Sequence, residues 1–247
     1  MDETRHFDRA ARRFGTSWWG QTTPAGRRRI QRRQARARAF LAQRRCRRVL
    51  EIGCGSGALT QGVADRVRQV YAVDLSEALL AIARQTGMTA QFVRADATRL
   101  PFPDRTFDAV LGDGVLHHLA LEPALQEIRR VLVPEGGILF FEPNMVNPQI
   151  FLERKTPVRR LHQTPDETAF YRWKIEQVLR RLWSTVCVEP FDFLHPALPW
   201  LFIRVAEWAG QYLERWPIVR ELAGSLCIEA WESQSGKAPC YLGGTLR

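Results

Sequence analysis

The stretch Glu51-Ile52-Gly53-Cys54-Gly55-Ser56-Gly57 decides how the rest of the chain is read. It closes a short apolar run, Val49 to Ile52, and opens a segment where Leu59, Val63 and Val67 recur at helical spacing. Glycines at such an elbow permit the tight turn and let backbone come close to a ligand. Taken alone the elbow is ambiguous, because Gly53, Gly55 and Ala58 also satisfy the dinucleotide fingerprint G-x-G-x-x-A. Asp74 stands 17 residues past Gly57, at the end of the next apolar run. A carboxylate there accepts from both hydroxyls of a ribose in either reading.

Working outward, the pattern of strand, turn and helix repeats. Gln69 to Val73 reads as a second strand, and Ser76 to Gln85 as the helix after it. Thr89 to Ala95 is a third strand, ending at Asp96, and Phe107 to Leu111 a fourth. Leu121, Leu125, Ile128 and Leu132 line the next helix, and Gly136-Gly137 turns into a fifth strand, Ile138 to Phe141. Such alternation predicts a parallel sheet covered on both faces, with ligands held beyond the carboxyl ends of the strands. The elbow, Asp74, Asp96, Gly112 to His118 and Glu142 are therefore expected to be neighbours.

Beyond Asn144 the alternation loosens. Thr164-Pro165-Asp166-Glu167 has the cap, proline and glutamate of a helix start, and that helix is expected to run to about Trp183. Ser184 to Phe193 and Ser225 to Trp231 read as sixth and seventh strands. Between them a helix from Pro199 to Trp216 gathers Arg204, Glu207, Gln211, Glu214 and Arg215 on one stripe. Its wide apolar arc, with Trp200, Trp208 and Trp216, is expected to pack on its own domain; a greasy lid or interfacial anchor is the alternative.

Composition narrows the class. The chain has 247 residues, 45% of them apolar and 25% charged, enough for a packed core and unlike a disordered chain. No run approaches the roughly 18 apolar residues of a membrane span, and the first residues lack a secretory signal, so a cytoplasmic protein is expected. Cys46, Cys54, Cys187, Cys227 and Cys240 form no CxxC pair, so reduced thiols are expected rather than a metal site or a disulfide framework.

The charge is lopsided. Residues 1–48 carry 15 arginines against Asp2, Glu3 and Asp8, whereas the remaining residues are close to neutral. The densest part, Arg27 to Arg48, favours helix, with Gly26 marking its start and only Ile30, Ala37, Phe40 and Leu41 as an apolar stripe. Nucleic-acid contact, an anionic membrane surface, and a solvated helix capping an anionic ligand are all compatible with it.

Asp96-Ala97 is followed by Leu-Pro-Phe-Pro-Asp-Arg-Thr-Phe-Asp and by Val115-Leu116-His117-His118-Leu119. Through VLEIGCGSG, VYAVDLS, VRADATRLPFPDRTFDAV, VLHHL and VLVPEGGILFFEP, the sequence resembles class I S-adenosylmethionine-dependent methyltransferases, especially the ubiquinone/menaquinone-biosynthesis type, across residues 48–143. The resemblance implies an α/β, Rossmann-like seven-stranded sheet, mostly parallel with an antiparallel last strand, helices on both faces and helical lid insertions. It implies that Gly53, Cys54, Gly55 and Gly57 approach the methionine part of S-adenosyl-L-methionine, with Glu51 on its amino group. Asp74 would hold the ribose and Leu75 pack on adenine. Asp96 would accept from the adenine amine beside Ala97, and Asp113 would face the methyl donor. The second acidic site has no role in the dinucleotide fingerprint.

A sulfonium methyl is already activated, so its transfer needs positioning more than covalent help. Should the acceptor have to lose a proton, His117 and His118 stand at the correct sheet edge, though a role at a helix start is the plainer expectation for the pair. His195 and His162 are weaker candidates. The expected organisation is a basic helical cap over residues 1–45, a methyltransferase domain over 46–235 with insertions near 144–165 and 194–224, and a tail over 236–247. Trp18, Trp19, Phe151, Phe170, Tyr171, Trp173, Trp200 and Phe202 are expected as pocket walls around a lipid-like acceptor. Arg154, Arg159 and Arg160 would meet an anionic group on it. The arm and the Trp-rich helix together match the two signals that hold a protein peripherally on an anionic inner membrane face. The alternatives are a nucleic-acid methyltransferase using the Arg-rich arm, which no RNA-binding signature supports, and a non-catalytic cofactor-binding regulator.

Overall fold

Strand β1 (Arg48–Ile52) is buried along four of its five residues, as a strand covered on both faces must be. In the computed structural model, which describes residues 3–16, 20–155 and 169–232, it lies at the centre of a seven-stranded sheet. The other strands are β2 (Gln69–Asp74), β3 (Gln91–Arg94), β4 (Phe107–Asp113), β5 (Leu132–Pro143), β6 (Thr185–Phe191) and β7 (Ser225–Trp231). Their order is β3-β2-β1-β4-β5-β7-β6, and β7 alone runs antiparallel to its neighbours. The expected sheet, with its antiparallel last strand, is the one observed. Because β5 and β6 point the same way as β1, the segments that follow them emerge at the edge where the glycine elbow lies.

Helix α1 (Glu3–Phe14) packs on α3 (Glu77–Gln85), where Ser76 caps the first turn by accepting from the Leu79 N–H. One face of the sheet is covered by α4 (Leu121–Val131) and α6 (Arg172–Leu179), through Leu125, Ile128, Ile175 and Leu179. Helix α5 (Pro148–Lys155) follows β5, and α7 (Ile203–Leu213) follows β6.

The other face is covered by α2 (Pro24–Gln43), the arginine-rich segment. Its start precedes Gly26: Thr23 is the cap, accepting from the Gly26 N–H, and Pro24 fills the first helical position. Gly26 is instead a site of close approach, since a Cβ there would lie 1.8 Å from the Gly20 carbonyl oxygen. Ala37, Phe40 and Leu41 join Val49, Ala109, Leu139 and Phe141 in one core cluster, so the segment expected as a cap shares the core of the domain.

Five expectations are corrected. After the elbow only the 3-10 turn Thr60–Gly62 forms, although Leu59 and Val63 are buried as their spacing required. The reason is α2: Gln34 donates to the Ala58 carbonyl and Arg38 to that of Gly62, taking acceptors a regular helix would use. Helix α6 begins at Arg172, because Phe170 bridges to Asn144 and Tyr171 is extended; Thr164 to Glu167 lie outside the described residues. It ends at Leu179, short of Trp183. The helix expected over 199–216 is a 3-10 turn, Trp200–Phe202, followed by α7, and its arc is not buried: Trp200, Trp208 and Trp216 are 74%, 62% and 64% exposed.

Candidate active site

The elbow holds three consecutive odd-numbered glycines in the left-handed region, which favours glycine: Gly53 (φ 62°), Gly55 (φ 54°) and Gly57 (φ 83°). They differ in surroundings. A Cβ on Gly53 would meet Val115 Cγ2 at 2.3 Å, and one on Gly57 would meet Met88 Cε at 2.9 Å, whereas one on Gly55 would meet open space. Gly53 and Gly55 line a cavity of about 310 Å³, within the usual range for ligand pockets. Gly57 stands behind it and serves the packing of the turn.

The same cavity is lined by Glu51, Cys54, Asp74, Leu75, Ala97, Asp113, His117 and His118. Ten of the twelve predicted site residues therefore come together. Asp96 does not line this cavity: it is exposed, and its Oδ1 accepts from the Thr98 N–H and hydroxyl. Asp74 accepts from the Gly55 N–H at 2.8 Å and the Ser76 N–H at 2.9 Å, which holds its carboxylate at the rim of the elbow. Its pKa is raised by burial, against the pull of those N–H groups. Glu51 is fully buried, accepts from the Thr60 hydroxyl at 2.6 Å, and has its pKa pushed up to about 8 by desolvation. Burial also keeps the Cys54 thiol neutral.

The two histidines part in role. His117 is buried, and its Nδ1 lies 2.7 Å from Glu142 Oε2. Glu142 Oε1 accepts from the N–H groups of Val115 and Leu116, so the carboxylate both shapes the turn and directs the ring. With Nδ1 donating to that carboxylate, Nε2 is the acceptor nitrogen. His118 lies against the His117 ring, centroids 4.0 Å apart, and is less buried.

A second cavity, of about 320 Å³, opens over the ends of β5, β6 and β7. Arg29, Arg33, Asp113, Gly114 and Pro196 line both cavities, so the two adjoin. Arg33 binds Asp113 and also donates to Ser225 Oγ at 2.9 Å, with its guanidinium over the Phe141 ring. Arg29 and Arg32 converge on the buried Asp192, which sits in the left-handed region at φ 72° while also accepting from the Leu194 N–H. The residues expected as pocket walls lie elsewhere. Phe151, Trp173, Trp200 and Phe202 are exposed, Phe170 packs on the core, Tyr171 stacks on Trp173, and Trp18 and Trp19 lie outside the described residues. Phe141, Ile150, Phe193 and Leu194 are the apolar walls instead. His195 does line this second cavity, accepting from the Ala197 N–H, while His162, Arg159, Arg160 and the Arg154 side chain lie outside the described residues.

Arg29, Arg33 and the orienting role of Glu142 escaped the sequence reading. The signal for the arginines was present: residues 29, 32, 33 and 36 follow the i, i+3, i+4, i+7 spacing of a buried helix face.

The sheet order and the glycine elbow are those of the Rossmann-like fold seen in S-adenosylmethionine-dependent methyltransferases. Residues 50–140 match the family described as Methyltransferase domain. A demethylmenaquinone methyltransferase of Thermus thermophilus is 37% identical over 103 residues, 39% of this chain and 47% of that protein. A malonyl-[acyl-carrier protein] O-methyltransferase of Enterobacter lignolyticus is 39% identical over 114 residues, 45% of each chain. A 2-phytyl-1,4-naphtoquinone methyltransferase of Trichormus variabilis is 30% identical over 160 residues, 60% of this chain and 63% of that protein. The chain thus spans a third to a half of the first curated relatives it matches. Among solved structures, a methyltransferase from Thermotoga maritima superposes with a TM-score of 0.67 at 16% identity, covering 93% of this chain and 99% of that one. The cofactor of this fold and family is S-adenosyl-L-methionine. The cavity fits it: the elbow leaves backbone bare at Gly55, where a Cβ would find open space, and two carboxylates stand beside it.

Proposed function

We propose that the protein transfers the methyl group of S-adenosylmethionine to a lipophilic small molecule whose polar head occupies the second cavity. The observation that carries this reading is the shared wall: Asp113, Gly114, Arg29 and Arg33 border both cavities, so a donor in one and an acceptor in the other meet there. The names of the relatives point the same way, two of the three quoted above being for quinone-type acceptors.

S-adenosylmethionine supplies an activated methyl on a sulfonium. Glu51 holds the ammonium of its methionine part, Asp74 accepts from the ribose hydroxyls, and Leu75 and Ala97 flank the adenine. Asp96, at the rim, caps the turn that carries Ala97. His117, oriented by Glu142, lines the donor cavity beside Gly114 of the shared wall, where its Nε2 takes a proton from an acidic hydroxyl of the acceptor and Arg33 steadies the resulting anion. The apolar walls and α2 keep water from the transfer.

The nucleic-acid alternative loses the four arginines of the inner face of α2. Arg29, Arg32, Arg33 and Arg36 bind Asp192, Glu214, Asp113, Glu189 and Glu229, which leaves that face of α2 no free charge for phosphates. The reading places the protein in the cytoplasm, in peripheral contact with the inner membrane face; among the described residues no helix is long and apolar enough to cross a membrane.

Radiolabelled S-adenosylmethionine offered with separated lipid and RNA fractions tests the assignment. Label is expected in the lipid fraction; label confined to RNA, or no turnover with either, overturns it.

A further inference from the structure

The turn before α7, the helix itself and the turn after it present Trp200, Leu201, Phe202, Val205, Trp208 and Tyr212 to solvent, continuing to Trp216 and Ile218. This is far more contiguous apolar surface than scattered exposed residues explain. The helix is nevertheless docked. Ile203 is buried with Ala25 and Leu194, and Gly210 lies against Phe193, so its inner side rests on the first turn of α2 and on the wall of the second cavity.

Its charges are sorted between the two sides. Glu207 faces Arg28 at 3.6 Å, and Glu214 binds Arg32 at 2.6 Å, so both acids are drawn inward onto α2. The outward arc keeps Arg204 and Arg215, both exposed, and no acid. Aromatic rings amphipathic at their edges, aliphatic side chains between them and unopposed arginines make a surface complementary to an anionic lipid–water interface. A second copy of the chain fits it poorly, because a two-fold contact would set the arginines of one arc against those of the other with no acid between.

We propose that α7 and its flanking turns are the surface by which the protein docks on an anionic bilayer, the arc lying in the interface beside the mouth of the acceptor cavity. This rests in part on the reading of a lipophilic acceptor, which would reach the second cavity past Leu194 and Pro196 without crossing water. The arginine-rich α2 contributes the ion pairs, from Arg28 and Arg32, that turn the acids of α7 inward.

The test is flotation of the purified full chain with phosphatidylcholine vesicles, with and without phosphatidylglycerol. Binding is expected to the phosphatidylglycerol vesicles, falling several-fold as salt rises and persisting in part through the apolar contribution. Trp208→Glu with Trp200→Glu, and separately Arg204→Glu with Arg215→Glu, are each expected to weaken it roughly tenfold or more. Calorimetric binding of S-adenosylmethionine should be unchanged in both, showing that the fold is kept. No flotation of the wild type on anionic vesicles, undiminished flotation of both variants, or sedimentation as a dimer that only the tryptophan variant dissociates would each overturn the proposal. Flotation needs no turnover, so a protein that binds vesicles yet methylates nothing removes the function and leaves the docking surface.

Discussion

Glu51 shows how much a single residue can report. Its carboxyl, pushed up to about 8 by burial, is largely protonated at pH 7 in the free protein. An ammonium placed beside it would favour the ionised form. Cofactor binding near pH 7 is therefore expected to release close to one proton, read as a binding enthalpy that varies with the ionisation enthalpy of the buffer; Glu51→Gln should remove the variation. The same shift bears on stability. The folded chain holds this proton up to about 8, whereas the unfolded chain loses it near 4.5. The native state binds more protons between those values, so stability falls as pH rises through that window. Denaturant titrations at pH 5 and pH 8 should show the fall in the wild type and a smaller one in Glu51→Gln. The glycines beside it make a second comparison. Gly55→Ala meets only left-handed strain, about 1 kcal/mol, while Gly53→Ala also drives a methyl into Val115 and should destabilise considerably more. Equal melting temperatures for the two variants would contradict the geometry.

Among the elements, β7 was readable to the residue, Ser225–Trp231, because a buried apolar run bounded by Gly224 and Glu232 leaves little choice. Helix α2 was readable as a helix but not in its role. The partners of its arginines, Asp113, Glu189, Asp192, Glu214 and Glu229, lie 80 to 193 residues away, and no local spacing announces them. The arc of α7 was misread for the converse reason: apolar periodicity says which residues share a face, not whether anything covers it. The pairing of α2 makes its own prediction. Arg36 bridges Glu189 and the buried Glu229, whose pKa is already raised by burial. Arg36→Ala leaves Glu229 without its cation, a change that typically costs about 3–5 kcal/mol for a buried pair. With the cation gone, Glu229 holds its proton to still higher pH, so the loss should grow as pH rises from 5 to 8. Urea titrations across that range measure it, and Glu229→Gln added to Arg36→Ala should recover part of the loss.

At the scale of the molecule, the topology brings the two cavities to one edge, and α2 becomes their common wall. The parallel sheet and its ligand edge followed from the alternation of strands and helices, and the antiparallel last strand from the family resemblance, but the second cavity depended on loops whose paths no pattern specified. Arg33 is the residue on which the two sites meet, with one hand on Asp113 and another on Ser225. On the proposed reading the cationic cofactor gains from Asp113, whereas an acceptor that becomes anionic gains from Arg33. Replacing Arg33 by Gln frees Asp113 while removing the positive charge, so the two ligands should respond in opposite senses. Affinity for S-adenosylmethionine is expected to hold or rise, and KM for the acceptor to increase roughly tenfold, as the loss of one charged hydrogen bond implies. Because the substitution also strands a half-buried carboxylate, Arg33→Gln with Asp113→Asn is the companion that separates folding from binding. The double variant should regain stability while keeping the acceptor defect and weakening the cofactor. If cofactor and acceptor affinities instead fall together in Arg33→Gln and recover together in the double variant, α2 only packs, and the wall between the cavities has no part in choosing what enters them.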